Sequence, residues 1–105
     1  MKFVKARPHD SELADMLKFY CPACKCSHWV SVGTRSFWNI IWQFNGDFDK
    51  PTINPSLLVR YPRPNGDLVC HSFIRNGRIQ YLGDCTHEMA GKTVDIPEWK
   101  EKEEA

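Results

Sequence analysis

The sequence LVCHSFIRNGRIQYLGDC, residues 68–85, contains the clearest structural signal in the chain. Asn76-Gly77 separates two runs rich in β-branched and aromatic residues. A two-residue type I′ turn prefers this dipeptide because both of its central residues need a positive φ. The stretch therefore predicts an antiparallel hairpin in which Arg75 faces Arg78 and the ladder continues back to a Cys70–Gly83 pair.

Successive side chains of a strand point to opposite faces of a sheet, so this register sorts the hairpin into two sets. The apolar members indicate which face is buried. We expect one face to carry Cys70, Ser72, Ile74, Ile79, Tyr81 and, by extension, Cys85, and the other to carry His71, Phe73, Leu82 and Asp84.

The flanking sequence extends this hairpin into a mainly β fold, a β-rich α+β chain. A second turn at Asn65-Gly66 predicts a meander of strands at about 57–63, 67–75 and 78–84. A first strand is expected over residues 1–7, a short helix from Asp10 or Ser11 to Met16, a buried strand over 37–44 and a helical turn over 86–90. The two prolines of residues 49–56 predict an ordered loop without regular structure. We interpret residues 1–105 as one zinc-stabilised domain with a charged, frayed tail at about 97–105.

The composition excludes several classes of protein. The chain has 105 residues, 42% of them hydrophobic and 26% charged, with a formal net charge of +1. This balance argues against disorder and against a nucleic-acid partner, although Arg60, Arg63, Arg75 and Arg78 keep that partner as an alternative. No run approaches the roughly 18 apolar residues that cross a bilayer, and the first residues are no signal peptide. We therefore expect no membrane partner and a cytoplasmic location, with the oligomeric state left open.

The five cysteines point to a metal ion. In a reducing compartment a small cysteine-rich protein binds metal more often than it forms disulfides, and an odd count also fits pairing poorly. Cys21-Pro22-Ala23-Cys24 has the C-x-x-C spacing that places two thiolates on one tight turn, as in a zinc-ribbon knuckle. The sequence after this pair is a poor helix start, which argues against a redox motif.

The predicted hairpin supplies the other ligands. Cys70 and Cys85 are expected on one face as near neighbours, which completes a closed, structural Zn²⁺ site with no open position for catalysis. The fourth ligand remains open. The predicted ligands are Cys21, Cys24, Cys70 and Cys85, with His71, Cys26, His28 and His87 as alternatives.

Two further groups carry functional hypotheses. His71 and Asp84 are predicted neighbours that suit acid–base chemistry, but we favour a supporting pair that holds the hairpin end rigid behind the metal. The loop over residues 45–56 is too polar for the core and is stiffened by proline, so it is a candidate binding surface. Its candidate binding residues are Asn45, Asp47, Asp49, Thr52 and Asn54.

The motifs CPACKCSHW, WQFNGDFDKPTINPSLLV and CHSFIRNGRIQYLGDCTHEMAGKTVDIPEW resemble a family of small phage and prophage proteins of unknown function, often labelled ammonia monooxygenase. The resemblance covers residues 17–99. It implies a phage-type protein of the host bacterial cytoplasm that binds metal. The label itself finds no support, because a membrane copper oxygenase requires transmembrane helices. More distant relatives accompany bacterial ubiquitin-like conjugation genes and carry C-P-C-x-C and a later Cys-His. That resemblance implies Cys21, Cys24 or Cys26, Cys70 and His71 as ligands.

Two functions compete at this point. The favoured hypothesis is a zinc-binding module that docks on a host or phage protein, for example to counter a host defence, and that has no catalytic residues. The alternative is a small metal-dependent hydrolase or transferase that uses His71, Asp84 and His87 around an open metal. Four protein ligands would favour docking, whereas three ligands and a water would favour chemistry.

Overall fold

A computed structural model describes the protein over residues 1–6, 16–32 and 41–100. These residues form two antiparallel sheets. The three-stranded sheet has the order β1-β2-β3, and the five-stranded sheet has the order β4-β5-β6-β7-β8. The strands are β1 Val4–Lys5, β2 Met16–Cys21, β3 Cys26–Ser31, β4 Gln43–Phe44, β5 Ile53–Tyr61, β6 Leu68–Arg75, β7 Arg78–Tyr81 and β8 Thr93–Asp95. The β-rich antiparallel fold is confirmed, and none of the described residues belongs to a helix, so no segment there has the length and apolarity of a membrane-spanning helix.

The central hairpin of β6 and β7 has the predicted register. Arg75 pairs with Arg78, and Asn76 and Gly77 both have positive φ, 52° and 78°. The predicted Cys70–Gly83 pair is wrong, because β7 ends at Tyr81 and the chain then turns. A last bond from Leu82 N to His71 O closes the ladder, and Cys85 N donates to Leu82 O within the turn.

The neighbouring strand β5 begins earlier than the sequence indicates. Residues 53–56, expected in the loop, belong to β5, where a bulge between Ile53 and Leu57 accommodates the proline of the segment. The type I′ turn at Asn65-Gly66 is also wrong. Only Gly66 has a positive φ there, and a longer connection over residues 62–67 joins β5 to β6.

The predicted helices have different outcomes. Met16 begins strand β2, while residues 7–15 of the first predicted helix lie outside the described residues. Residues 86–90 form turns rather than a helix, and Gly91 ends them with a φ of 80°. Of the predicted strand at 37–44, residues 37–40 lie outside the described residues, and the last two residues form β4.

The core contains side chains from both sheets. Phe3 stacks between Phe19 and Phe44, at ring-centroid distances of 5.1 and 5.8 Å. Residues 97–100, the described part of the expected tail, contact the rest of the domain, and fraying of the tail stays a prediction. Trp99 N donates to Met1 O, and Lys18 Nζ lies 4.7 Å from the centre of the Trp99 ring. The fully buried apolar side chains include Phe3, Phe19, Val30, Ile53, Ile74, Ile79 and Ile96.

Candidate functional site

Three cysteines and one histidine meet where the two sheets pack together. Cys21 ends β2, Cys24 lies in the turn that follows, His28 is on β3, and Cys70 is on β6. Their ligand atoms all lie within 4.8 Å of one another. The turn after β2 brings Cys24 back toward Cys21: Lys25 takes a left-handed φ of 57°, and Cys24 N donates to Cys21 Sγ at 3.5 Å. We call these four residues the Cys3His cluster.

The chemistry of the cluster fits a metal ion. His28 is 2% exposed, and its Nε2 has no hydrogen-bond partner among the described residues, although a buried imidazole nitrogen normally has one. Its Nδ1 lies 3.5 Å from Tyr61 Oη, so Nε2 is the nitrogen that a metal can use. Three sulfurs and one imidazole nitrogen form a donor set suited to a tetrahedral ion.

The thiols of the Cys3His cluster share their protons unequally. The pKa of the Cys21 thiol falls well below its usual range because the thiols of Cys24 and then Cys70 donate hydrogen bonds to its sulfur. The same bond to Cys21 raises the pKa of Cys24 to about 12. One thiolate is thus already favoured, and metals bind cysteine in that form.

The other predicted ligands lie outside the cluster. Cys85 Sγ accepts a bond from His71 N at 3.2 Å and donates to His71 O at 3.1 Å, because the chain turns after Tyr81 instead of extending the ladder. Cys26 Sγ lies 3.7 Å from Tyr61 Oη. His87 Nε2 lies 3.4 Å from Cys70 Sγ, beside the cluster.

His71 belongs to a second constellation, on the opposite face of the five-stranded sheet. Its Nε2 lies 2.9 Å from Ser56 Oγ, and its Nδ1 lies 3.0 Å from Asp84 Oδ2 and 3.3 Å from Oδ1. The side chain of His71 is 25% exposed and that of Asp84 is 58% exposed, so the group is accessible from solvent. We call these three residues the Ser56–His71–Asp84 triad.

The backbone positions the triad from three elements. Ser56 lies in the irregular part of β5 between Ile53 and Leu57, and such bulges often re-aim a side chain next to an active site. His71 follows Cys70 on β6, so strand alternation directs the two side chains to opposite faces. The turn with Asp84 is fastened to β6 by the Cys85 thiol and by Thr86, whose N donates to Val69 O and whose Oγ1 accepts from Val69 N.

A serine, an imidazole and a carboxylate in this order can perform acyl transfer. With its proton on Nδ1, His71 donates to Asp84 and accepts the Ser56 hydroxyl proton at Nε2. His87 does not join this group, since it contacts Cys70 and packs edge-on against Tyr81 at 4.7 Å. The sequence therefore indicated the His71–Asp84 pair, whereas Ser56 was missed.

No local signal in the sequence identified Ser56. In the observed register Leu58 pairs with His71, and Ser56 contacts the His71 ring from two residues earlier on β5. The predicted Asn65-Gly66 turn implies a different register, with Arg60 opposite His71, and the predicted loop kept Ser56 out of the strand. Pro55 was the misleading residue, because proline is rare inside a sheet.

The predicted binding loop uses its polar groups largely for its own structure. Asn45 Oδ1 accepts from Asp47 N at 3.1 Å and from Thr52 N at 3.2 Å. Asp47 Oδ1 accepts from Asp49 N at 2.9 Å. Thr52 Oγ1 accepts from Asn76 N at 2.8 Å, which ties the loop to the β6–β7 turn. Asn54 is exposed and pairs with Gln43 between β4 and β5. Binding by these residues stays a prediction.

Comparison with known protein families gives one match. A family model described as "Bacterial ubiquitination-like system serine protease (BubE)" matches residues 2–82, most of the chain. The chain belongs to the BubE family. Ser56, His71 and the whole Cys3His cluster lie within the matched residues of this BubE chain, and Asp84 follows just beyond them. No curated protein matches the BubE chain. No solved structure matches it either.

Proposed function

We propose that this chain is a serine protease in which Ser56 is the nucleophile, His71 the general base and Asp84 the residue that orients the imidazole. The observation that carries this proposal is the unbroken row of contacts at 2.9 and 3.0 Å from Ser56 Oγ through His71 to Asp84. The description of the BubE family supports it independently, because it names a serine protease.

The triad would act in two steps. Ser56 Oγ attacks the scissile carbonyl and its proton moves to His71 Nε2, which then returns the proton to the departing amine as the C–N bond breaks. Water next attacks the acyl-enzyme ester, gives a proton to His71, and releases the acid with the regenerated Ser56 hydroxyl. Asp84 stays ionised throughout and stabilises the imidazolium.

We further propose that the Cys3His cluster holds a structural Zn²⁺ ion. Three cysteines and one histidine are a common donor set for structural zinc, and four protein ligands leave no position for a water or a substrate. The ion would fix β6, and therefore the backbone of His71, from the face opposite the triad. The metal-dependent hydrolase alternative lacks support, because His71 and Asp84 lie away from the cluster.

The substrate class follows from the same family description. That description names a serine protease, and proteases cleave peptide bonds, so we propose a polypeptide substrate. Docking on a partner protein, the function favoured by the sequence, then becomes the binding step of an enzyme. A host or phage source for that partner stays a hypothesis.

The test is covalent labelling with an alkyl fluorophosphonate, followed by peptide mapping. We expect labelling at Ser56 and its loss in Ser56→Ala. Ser72→Ala is the matched control, because the Ser72 hydroxyl is buried on the opposite face without a hydrogen-bond partner among the described residues. An intact protein that resists the reagent, or labelling that survives Ser56→Ala, would contradict the protease proposal and favour a binding module without catalysis.

A further inference from the structure

Strand β5 has an edge that the rest of the described chain covers only at its beginning. On one side β5 pairs with β6 as far as Tyr61. On the other side β4 pairs only with Ile53 and Asn54. No strand of residues 1–6, 16–32 or 41–100 pairs with that side of β5 from Leu57 onward.

The hydrogen-bond pattern identifies the backbone groups on this edge. On β6, the carbonyls of Val69 and His71 accept hydrogen bonds from the segment that follows β7. Because successive residues of a strand direct their backbone N–H and C=O groups to opposite sides, Cys70 and Ser72 direct theirs toward β5. Cys70 and Ser72 pair with Val59 and Leu57, and these pairs exchange the ladder bonds.

The residues of β5 that alternate with Leu57 and Val59 therefore direct their backbone N–H and C=O groups away from β6, toward the open edge. Ser56 O accepts a bond from Trp42 Nε1 at 3.3 Å, which shows the outward direction and closes the edge at that point. Beyond Trp42, the N–H and C=O groups of Leu58 and Arg60 point in the same outward direction.

A groove of about 600 Å³ runs along this edge, between β5 and β3, the edge strand of the other sheet. It begins at Ser56 and continues past Leu58 and Arg60 to Tyr61. Trp29 and Trp42 line the groove, and Leu58 is 52% exposed although its side chain is apolar. Residues 58–61 span about 13 Å in a strand, which corresponds to three or four residues of an added chain.

We propose that the substrate binds in this groove as an added β-strand, antiparallel to β5, with an apolar side chain between Trp29 and Trp42. The inference rests on the proposed protease function, because the bound chain is a substrate only if Ser56, at the end of the groove, is the nucleophile. Every strand pair of the described residues is antiparallel, and antiparallel pairing is the more stable form. A chain that runs antiparallel to β5 passes Arg60 and Leu58 before it reaches Ser56. The residues that precede the scissile bond therefore occupy the edge.

The probes are acetyl-capped peptidyl diphenyl phosphonates that end in the leucine analogue and carry from zero to four preceding alanines. Their second-order rates of labelling Ser56 are divided by the rate for an alkyl fluorophosphonate, which needs the triad but no peptide backbone. We expect this ratio to rise at least tenfold with length and to level off after three or four residues, because each main-chain pair adds a modest gain.

Two substitutions localise the effect. Leu58→Pro removes the outward N–H and should abolish the gain with length, since edge positions otherwise tolerate proline. Leu58→Ala keeps the N–H and is the matched control that should preserve most of the gain. N-methylation of the probe amides tests the same bonds on the unaltered protein, so a misfolded Leu58→Pro variant does not decide the outcome.

The outcomes separate the two proposals. If the fluorophosphonate does not label Ser56, the protease proposal itself fails. If it labels Ser56 and the ratio is independent of length, or is unaffected by both N-methylation and Leu58→Pro, strand addition is refuted while the triad stands. A gain that disappears as the protein concentration rises, with a dimer in sedimentation, would instead assign the edge to a second copy of the chain.

Discussion

Replacing each of two histidines by alanine should separate the role of the Cys3His cluster from that of the Ser56–His71–Asp84 triad. His28→Ala removes a side chain that is 2% exposed and edge-on to Phe19 at 5.7 Å. The cavity alone costs about 2–4 kcal/mol of unfolding free energy, by analogy with other large-to-alanine changes. For a chain of this size about 1 kcal/mol lowers Tm by about 4–5 °C, so the cavity predicts a fall of about 10–20 °C.

Loss of the metal would increase this effect. Structural zinc contributes about 10–16 kcal/mol in zinc-finger peptides, which is comparable to the roughly 5–15 kcal/mol that stabilises an ordinary domain. His71→Ala is the matched control. It removes a side chain that is 25% exposed and contacts Ser56 and Asp84, so about 1 kcal/mol and about 5 °C are expected.

The assay combines thermal unfolding with elemental analysis of protein purified without added metal. We expect about one zinc per chain in the unaltered protein and in His71→Ala, which keeps the metal but loses fluorophosphonate labelling. His28→Ala should lose the metal and most of its stability. If His28→Ala retains one zinc per chain and unfolds within about 5 °C of the unaltered protein, the assignment of His28 as a ligand is refuted.

Three further predictions concern single positions. Asp84→Asn should lower kcat by about 10²–10⁴-fold in a peptide-cleavage assay without unfolding the protein, because the imidazole loses its orienting carboxylate; unchanged kcat would remove Asp84 from the triad. Gly77→Ala should cost about 1–3 kcal/mol in thermal unfolding, because φ is 78° and the new Cβ would lie 3.2 Å from Lys50 Cα. The control Gly83→Ala, with open space around its Cβ position, should be near neutral. Backbone N–H groups of Lys50 and then Asp49 lower the pKa of Asp47 below 3.8, so its stabilisation is present above about pH 4 and lost as the pH falls through the folded value. Thermal unfolding of Asp47→Asn between about pH 4 and about pH 2 should therefore show a shallower loss of stability, and an unchanged slope would contradict this.

The β6–β7 hairpin was predictable because its information is local. Asn76-Gly77 determines the turn, the turn determines the register, and the register places Cys70 and His71 on opposite faces. The C-x-x-C turn is local in the same sense. The proximity of Asp84 to His71 was predicted from the same hairpin, although the ladder ends at Tyr81 and Asp84 reaches His71 from the turn that follows.

The parts of the site that the sequence did not predict depend on contacts between distant segments. His28 was one of several alternative ligands, and only the packing of the two sheets brings it close to Cys70. Cys85 was expected in the cluster on the assumption that a strand continues beyond Tyr81. Ser56 lies 15 residues before its partner His71, on a strand whose start was hidden by proline. A sequence pattern shows what each strand prefers, but not where a strand stops.

The adjacency of Cys70 and His71 on β6 has a consequence for how such an enzyme would be classified. A chelator that takes the proposed metal from Cys70 would also release the strand that holds His71, and peptide cleavage would stop. Inhibitor profiling would then group the protein with metalloproteases, although no metal takes part in its proposed chemistry. Recovery of labelling at Ser56 when zinc is restored would distinguish a metal that maintains the strand from a metal that reacts.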